Sequence, residues 1–337
     1  MTAPLLSIRG VAVTFSSRSG GGRTKVRAVD HVSLDVNPGE IVGIVGESGS
    51  GKSTLARVIA GLVEPSAGAV LFDGADLPSR KRPVKLRRRI QMVFQDPYSS
   101  LDPRMSVRQQ LTEVLSVHGL VPHSGIENAC VALLTQVRLP PSLLDARPRQ
   151  MSGGQRQRVA IARSLAVRPD LLVADEPVSA LDVSVQAGVI RLFAELRNEL
   201  GLALVFIAHD LAVVRHLCDR VAVMYMGRIL ETGTTEAIFR TPRHPYTRAL
   251  LAAIPRLRPT ASATTAPVIG EPPSLARLPS GCRFRTRCPL AVSICKQVEP
   301  PLVSLSGAEE HQAACHLAAT TDQQASSPGP ERAHAGK

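Results

Sequence analysis

Short apolar runs recur along the chain, and most are followed by segments with helical spacing. Leu5 to Phe15 (LLSIRGVAVTF) alternates apolar and polar positions and predicts a strand. The stretch SSRSGGGRTK then breaks that strand with the composition of a flexible loop. Val32 to Gly46 carries two β-branched runs around a Pro-Gly turn. The second run leads into a glycine-rich segment and then a helical pattern, Lys52 to Leu62. Residues 96–165 are richer in helical periodicity, after which DLLVADEP and ALVFIAHD return as compact apolar strands. Strands that alternate with helices predict an α/β fold with a mostly parallel sheet covered on both faces. The character changes beyond Pro255. A Pro/Ala/Thr-rich linker precedes a cysteine-rich segment, and residues 319–337, with almost no large apolar side chain, are expected to be disordered.

Composition narrows this picture. At 337 residues the chain is long enough for one large domain with an appendage or for two ordinary domains. Only 3% of residues are aromatic and none is tryptophan, so aliphatic side chains must fill the interior. The start, MTAPLLSIRG, lacks a basic segment followed by a long apolar run, so no signal peptide is expected. The longest apolar stretches, such as Leu202 to Ala208, fall far short of the roughly 20 residues needed to cross a bilayer. A cytosolic setting follows, where reduced thiols cluster for metal binding or redox chemistry rather than disulfides. The formal charge of +12 points to anionic partners without choosing among nucleotide, nucleic acid and membrane surface.

The sharpest chemistry lies in GESGSGKST, the nine residues Gly46, Glu47, Ser48, Gly49, Ser50, Gly51, Lys52, Ser53 and Thr54. They fit G-x-x-x-x-G-K-[ST] between a buried strand and a helix start. Glycines let backbone N–H groups turn toward phosphate oxygens, Lys52 neutralises the β and γ phosphates, and the Ser53 hydroxyl can ligate Mg²⁺. In LLVADEP, an apolar strand ends at Asp175 and Glu176. Asp175 would hold Mg²⁺ through a water, and Glu176 would polarise the water that attacks the γ phosphate. Strands often end in acidic loop residues, and the upstream phosphate loop is what favours the catalytic reading.

MSGGQRQR, Met151 to Arg158, resembles the signature of ATP-binding cassette (ABC) ATPases. A serine hydroxyl, glycine N–H groups and a helix amino terminus at Ser152, Gly153, Gly154 and Gln155 make a second phosphate grip. The resemblance implies that this grip closes on ATP held by another subunit, so that two sites form between two subunits. It further implies a P-loop NTPase (RecA-like) core, an antiparallel β-subdomain and a helical subdomain near residues 96–165. Gln95 matches the Q-loop, touching Mg²⁺ or the attacking water. Ser179 to Asp182 matches the D-loop at the dimer interface, and His209 matches the switch histidine that helps position Glu176. Phe15 is the candidate for stacking on adenine. Mg²⁺ would be held by Ser53, Gln95 and Asp175. The basic run Arg80 to Arg89 lacks the interleaved aromatics of a nucleic-acid surface and is read as a solvated face.

VFQDPYSSLDPRMSV, TPRHPYTRALLAAIP and the cysteine-rich segment resemble the ATPases of oligopeptide and dipeptide importers, whose close relatives also import nickel. The resemblance covers about residues 5–318. It implies a cassette over 1–255, a small Cys-rich extension over 256–318, and a peripheral place on the cytoplasmic membrane face. The partners it implies are a second ATPase subunit (paralogue or self), two membrane-spanning permeases and an extracytoplasmic solute-binding protein. Cys282, Cys288, Cys295 and Cys315 follow the spacing C-x5-C-x6-C-x19-C, wider than usual zinc pairs. A [4Fe–4S] cluster, which members of the family can carry, is the first reading. Zinc and inert thiols are the alternatives, and His311 and His316 are substitute ligands. Losing such a cluster is expected to affect the extension and assembly more than ATP binding. From other functional classes, a soluble ABC protein of DNA repair or translation, or a cluster-based sensor, fits the chain less well. It lacks a second cassette and long insertions.

Overall fold

The continuous apolar runs become the interior strands of the larger of two sheets. In this computed structural model, residues 3–19, 22–77, 82–96, 100–254, 273–305 and 308–318 are described. The tail 319–337, nearly all of the linker, and Arg80 and Lys81 lie outside them. Strands β9 (Arg220–Tyr225), β3 (Ile41–Val45), β8 (Ala203–Ala208), β7 (Leu171–Asp175) and β6 (Ile90–Val93) run parallel in that spatial order. β3, β7 and β8 are buried along their whole length, which is why their sequences are apolar but for Asp175 at the end of β7. Val42, Val173 and Val205 pack on one face with Leu55 and Ile59 of α1 (Lys52–Ala60) and with Leu6 and Val70 of the second sheet. Val45, Leu172 and Phe206 pack on the other face. Their cluster continues through Leu111, Leu134 and Val159 of the helical region, on α3 (Val107–Val117), α4 (Ile126–Gln136) and α5 (Gly153–Leu165).

The second sheet is antiparallel, in the order β2 (Gly22–Val36), β1 (Leu6–Ser19), β4 (Ala67–Phe72), β5 (Ala75–Asp76). The expected α/β core with an antiparallel subdomain and a helical subdomain is therefore present. The segment expected as a flexible loop is instead the end of a long hairpin, with Ser16 opposite Lys25, Ser17 opposite Thr24 and Ser19 opposite Gly22. Backbone pairing holds a polar ribbon without apolar side chains, and composition does not reveal it. The described part of the basic run is tied to neighbours. Arg82 donates to the Ile59 carbonyl at 2.9 Å, Arg88 pairs with His118, and Arg89, ending α2 (Val84–Arg89), pairs with Asp170 and Asp73.

The cysteine-bearing extension does not stand apart from the core. β12 (Ala308–Ala313) pairs antiparallel with β10 (Arg228–Thr234), which pairs with β9, and β11 (Val303–Leu305) completes that edge. Farther back, Arg283 is buried against the core, ion-paired to Asp30 and Glu299 and donating to the Met226 carbonyl. Asp30, fully buried, also accepts from Arg27 and Arg228, each at 3.1 Å, and meets His31 Nδ1 at 2.8 Å.

Burial alone would raise the Asp30 pKa. The His31 hydrogen bond and the charges of Arg283 and Arg228 outweigh it and hold the carboxyl well below the usual range. The stabilisation is thus complete above the unfolded value of about 4 and is lost as pH falls through the lower folded value. Replacing Asp30 by Asn takes the buried carboxylate from Arg283 and leaves it only the partly exposed Glu299, and breaking such a buried pair costs about 3 kcal/mol or more. Urea unfolding at pH 7 should show that loss, with the gap between variant and wild type narrowing only below about pH 4. A loss under ~1 kcal/mol, the scale of an exposed pair, would contradict this account.

Candidate nucleotide-binding site

The loop from Gly46 to Gly51 joins β3 to α1, and its shape depends on glycine. Gly46, Gly49 and Gly51 have φ of 157°, 77° and 102°. A Cβ at Gly46 would lie 2.0 Å from the Met224 carbonyl oxygen, and one at Gly51 would lie 2.1 Å from that of Ala28. Gly51 caps α1 without a side-chain hydrogen bond, so the first N–H groups of the helix stay directed at the loop. The Ser50 hydroxyl is buried there with no hydrogen-bond partner. These are the elements of a phosphate cradle.

Lys52 Nζ lies across the loop, donating to the carbonyls of Gly46 at 2.8 Å and Glu47 at 3.0 Å, and 3.7 Å from Glu176. Burial lowers its pKa, while Glu176 and Asp175 oppose that shift. The Ser53 hydroxyl donates to Asp175 at 2.8 Å, which brings together two residues 122 positions apart. Asp175 is 3% exposed at the end of β7, and burial raises its pKa.

Glu176 is the point on which the predicted catalytic residues converge. It turns out of β7 with φ of 46°, a conformation uncommon for a residue with a side chain, and its N–H donates to the Ile207 carbonyl at 3.1 Å. Gln95 Nε2 donates to its carboxylate at 3.2 Å, and His209 Nδ1 stands 3.5 Å away. The Ser179 hydroxyl donates to its carbonyl at 3.0 Å, which fixes the start of the following loop. Lys52, Gln95 and His209, from three separate elements, thus surround one carboxylate.

Ser152, Gly153, Gly154 and Gln155 do not join that cluster. Ser152 and Gln155 form a reciprocal capping box at the start of α5, with Gln155 N–H donating to Ser152 Oγ at 3.3 Å. The glycines pack beneath the neighbouring helix, and a Cβ at Gly154 would lie 2.4 Å from Val185. Asp182 begins that helix, α6 (Val183–Leu200), and is exposed, as is Val183. Phe15 is 46% exposed on β1 opposite Val26, and β2 carries on from there to the Ala28 carbonyl against Gly51.

All four C-terminal cysteines are free and line one small cavity with His244, Phe284 and His316. Burial pushes the Cys282 thiol up to about 11, and the other three cysteines add to the shift. Among the described residues no three His, Cys, Asp or Glu side chains are gathered closely enough to hold a metal ion, so the structure supports neither the cluster nor zinc on its own. His311 is not a substitute ligand, because its Nε2 meets Glu231 at 2.8 Å in the core sheet. His316 borders the cavity, but its Nε2 is 3.0 Å from the Val298 carbonyl.

Sequence reasoning missed a set of residues behind the phosphate loop. Tyr246, at the start of α9 (Pro245–Ala252), accepts a hydrogen bond from the Glu47 N–H at 2.9 Å. Arg287 makes a two-pronged ion pair with the Glu47 carboxylate, at 2.8 and 3.1 Å. The available signals were the HPYT segment and the arginines interleaved with cysteine in CRFRTRC.

The ABC transporter family profile matches residues 29–179, and the profile for the oligopeptide/dipeptide transporter C-terminal region matches residues 230–295. Oligopeptide transport ATP-binding protein AppF of Bacillus subtilis is 45% identical over 321 residues, 93% of this chain and 97% of its own. A Brucella ovis protein named for peptide import and ATP binding is 48% identical over 301 residues, 89% of this chain and 94% of its own. Among solved structures, the dimeric bacterial ABC transporter cassette MJ0796 shares 30% identity at a TM-score of 0.61, covering 68% of this chain and 98% of the cassette. The cbiO1 protein of Clostridium perfringens, part of the ABC transporter complex cbiONQ, gives 31% and 0.61 over 71% of this chain and 91% of its own. The similarity runs along nearly the whole length, and the chain belongs to the ABC transporter family as an ATPase of its oligopeptide/dipeptide branch.

Proposed function

We propose that this ATPase drives the import of di- or oligopeptides from the cytoplasmic face of the membrane, acting on two permease subunits fed by an external solute-binding protein. Among the described residues no helix is long and apolar enough to cross a membrane, so the path for cargo would belong to partners. The observation that carries the reading is Glu176, held between Lys52, Gln95 and His209 at the foot of the phosphate loop.

On ATP binding, Lys52 would leave the Gly46 and Glu47 carbonyls for the β and γ phosphates. Ser53, Asp175 and Gln95 are the oxygen donors that would hold Mg²⁺, which when bound supplies charge neutralisation to the phosphates. Glu176 would take a proton from the water as its oxygen bonds the γ phosphorus and ADP leaves, with His209 orienting the reacting groups. Phe15 would stack on adenine. Ser152 to Gln155, with exposed Asp182, would close the site from a second subunit.

The cysteine pocket is read here as a [4Fe–4S] site. Four cysteines facing one cavity are the thiols that would hold the cluster, which when bound would cross-link the extension, with a single zinc ion as the alternative occupant.

Expressed with its permeases, Glu176→Gln should copurify with them as an ATP-bound dimer and turn over at least ~100-fold more slowly, since the amide keeps the shape but cannot take the proton. Near-normal turnover in an intact complex would move the base elsewhere, and an active ATPase that never associates with permeases would sink the import reading.

Lys52→Ala should lose ATP affinity in the isolated chain, whereas Ser152→Arg should keep it and fail to dimerise on ATP. Equal loss of binding in both would contradict the division of the site between two subunits.

Purified without oxygen, the chain should be brown, carry iron and sulfide in equal amounts, and lose both in Cys288→Ser. A colourless preparation with stoichiometric zinc would overturn the cluster and leave the transporter reading standing.

A further inference from the structure

The cysteine segment lies directly behind the phosphate loop. Arg287, one residue before Cys288, has a side chain 8% exposed, and both its terminal nitrogens reach Glu47. Glu47 directly follows Gly46, the glycine on which the loop turns out of β3. Its N–H is taken by Tyr246 Oη and its carboxylate by Arg287, so both polar ends of this residue are held from the C-terminal part of the chain. The holders are themselves fixed. Tyr246, Tyr225 and Phe284 form an aromatic cluster with ring centroids 4.7 to 5.5 Å apart. His244 Nδ1 accepts from the Tyr246 N–H at 3.0 Å, and buried Glu231 accepts from the backbone N–H groups of Arg243 and His244 at 2.7 and 2.9 Å. His311 of β12 closes that chain on Glu231.

We propose that Arg287 and Tyr246 are positioning residues for nucleotide binding. They hold Glu47 so that the phosphate loop keeps its shape while empty, and order in the cysteine pocket reaches the ATP site through Arg287. On this proposal, loss of order in the extension would weaken ATP binding as well as assembly. A loop that must be ordered when phosphate arrives binds more weakly than one already set, and the anchor removes that cost beforehand. Lys52 and the loop glycines would contact phosphate, whereas Arg287, which also reaches Tyr225 Oη at 3.4 Å, and Tyr246 would act through Glu47. The inference rests on the loop being the ATP site.

The test is calorimetric titration of the purified, anaerobic full chain with MgADP, alongside thermal melting. Arg287→Ala and Tyr246→Phe should each raise the Kd about tenfold, as expected for one hydrogen bond to a charged group or one well-placed neutral one in a buried setting, and Arg287→Lys should fall between. Glu47→Ala should do the same, and adding Arg287→Ala or Cys288→Ser to it should change the Kd by less than ~2-fold, because the route is already cut. A purely structural role would lower the melting temperature and leave the losses additive. If Arg287→Ala does not fold, Arg287→Lys and Tyr246→Phe decide the matter. MgADP binding that is lost in Lys52→Ala but unchanged in the folded Arg287 and Tyr246 variants overturns this inference alone. A wild-type chain that fails to bind MgADP overturns the nucleotide reading and this inference with it.

Discussion

A loop that must present bare N–H groups to phosphate cannot satisfy those groups itself, and the rest of the structure is arranged around that constraint. Three glycines give the loop its turns but no side chains with which to hold them. Rigidity is therefore supplied by neighbours. β3 fixes one end, α1 the other, and the turn after β9 lies beneath, where the Gly227 N–H donates to the Ser50 carbonyl at 2.8 Å and the Asp30 N–H to that of Gly227 at 2.8 Å. The buried Asp30 and Arg283 pair sits under the same turn. The most distant part of the chain in sequence thus bears on the residues that need support most.

The acidic half of the site shows a complementary economy. Asp175 and Glu176 are adjacent carboxylates that would repel each other if left alone, and each has been given a different environment. Asp175 is buried against the Ser53 hydroxyl, whereas Glu176 is turned aside by its left-handed backbone to meet Lys52, Gln95 and His209. One strand end therefore presents two carboxylates in different settings, as the two roles proposed for them would require. The separation comes from a single backbone rotation.

Much of this was legible in the sequence because each feature is local. A phosphate loop, an apolar strand ending in Asp-Glu and a Ser-Gly-Gly-Gln helix start each declare themselves within ten residues. The long hairpin was read as a loop because its pairing is between backbones, and polar composition conceals it. The contacts of Arg287 with Glu47 and of Arg283 with Asp30 span 240 and 253 positions, and no periodicity within either segment could announce them. His311 looked like a metal ligand from its closeness to Cys315 in the chain, yet strand alternation turns it to Glu231 instead. The cysteines were recognised as a group by count and spacing, but Arg283 and Arg287 between them, whose partners lie in the core, gave no such local signal.

The pairing of β12 with β10 also has a consequence for solubility. An exposed sheet edge offers free N–H and C=O groups to any passing strand and is a common start for aggregation. Here the last strand of the core is covered by a segment from beyond the linker, and the edge left outermost, β11, is only three residues long. A cassette cut off after α9 would keep every phosphate-binding motif and yet bare β10 along the pairing it now gives to β12. The C-terminal segment thus shields an edge of the sheet to which it belongs.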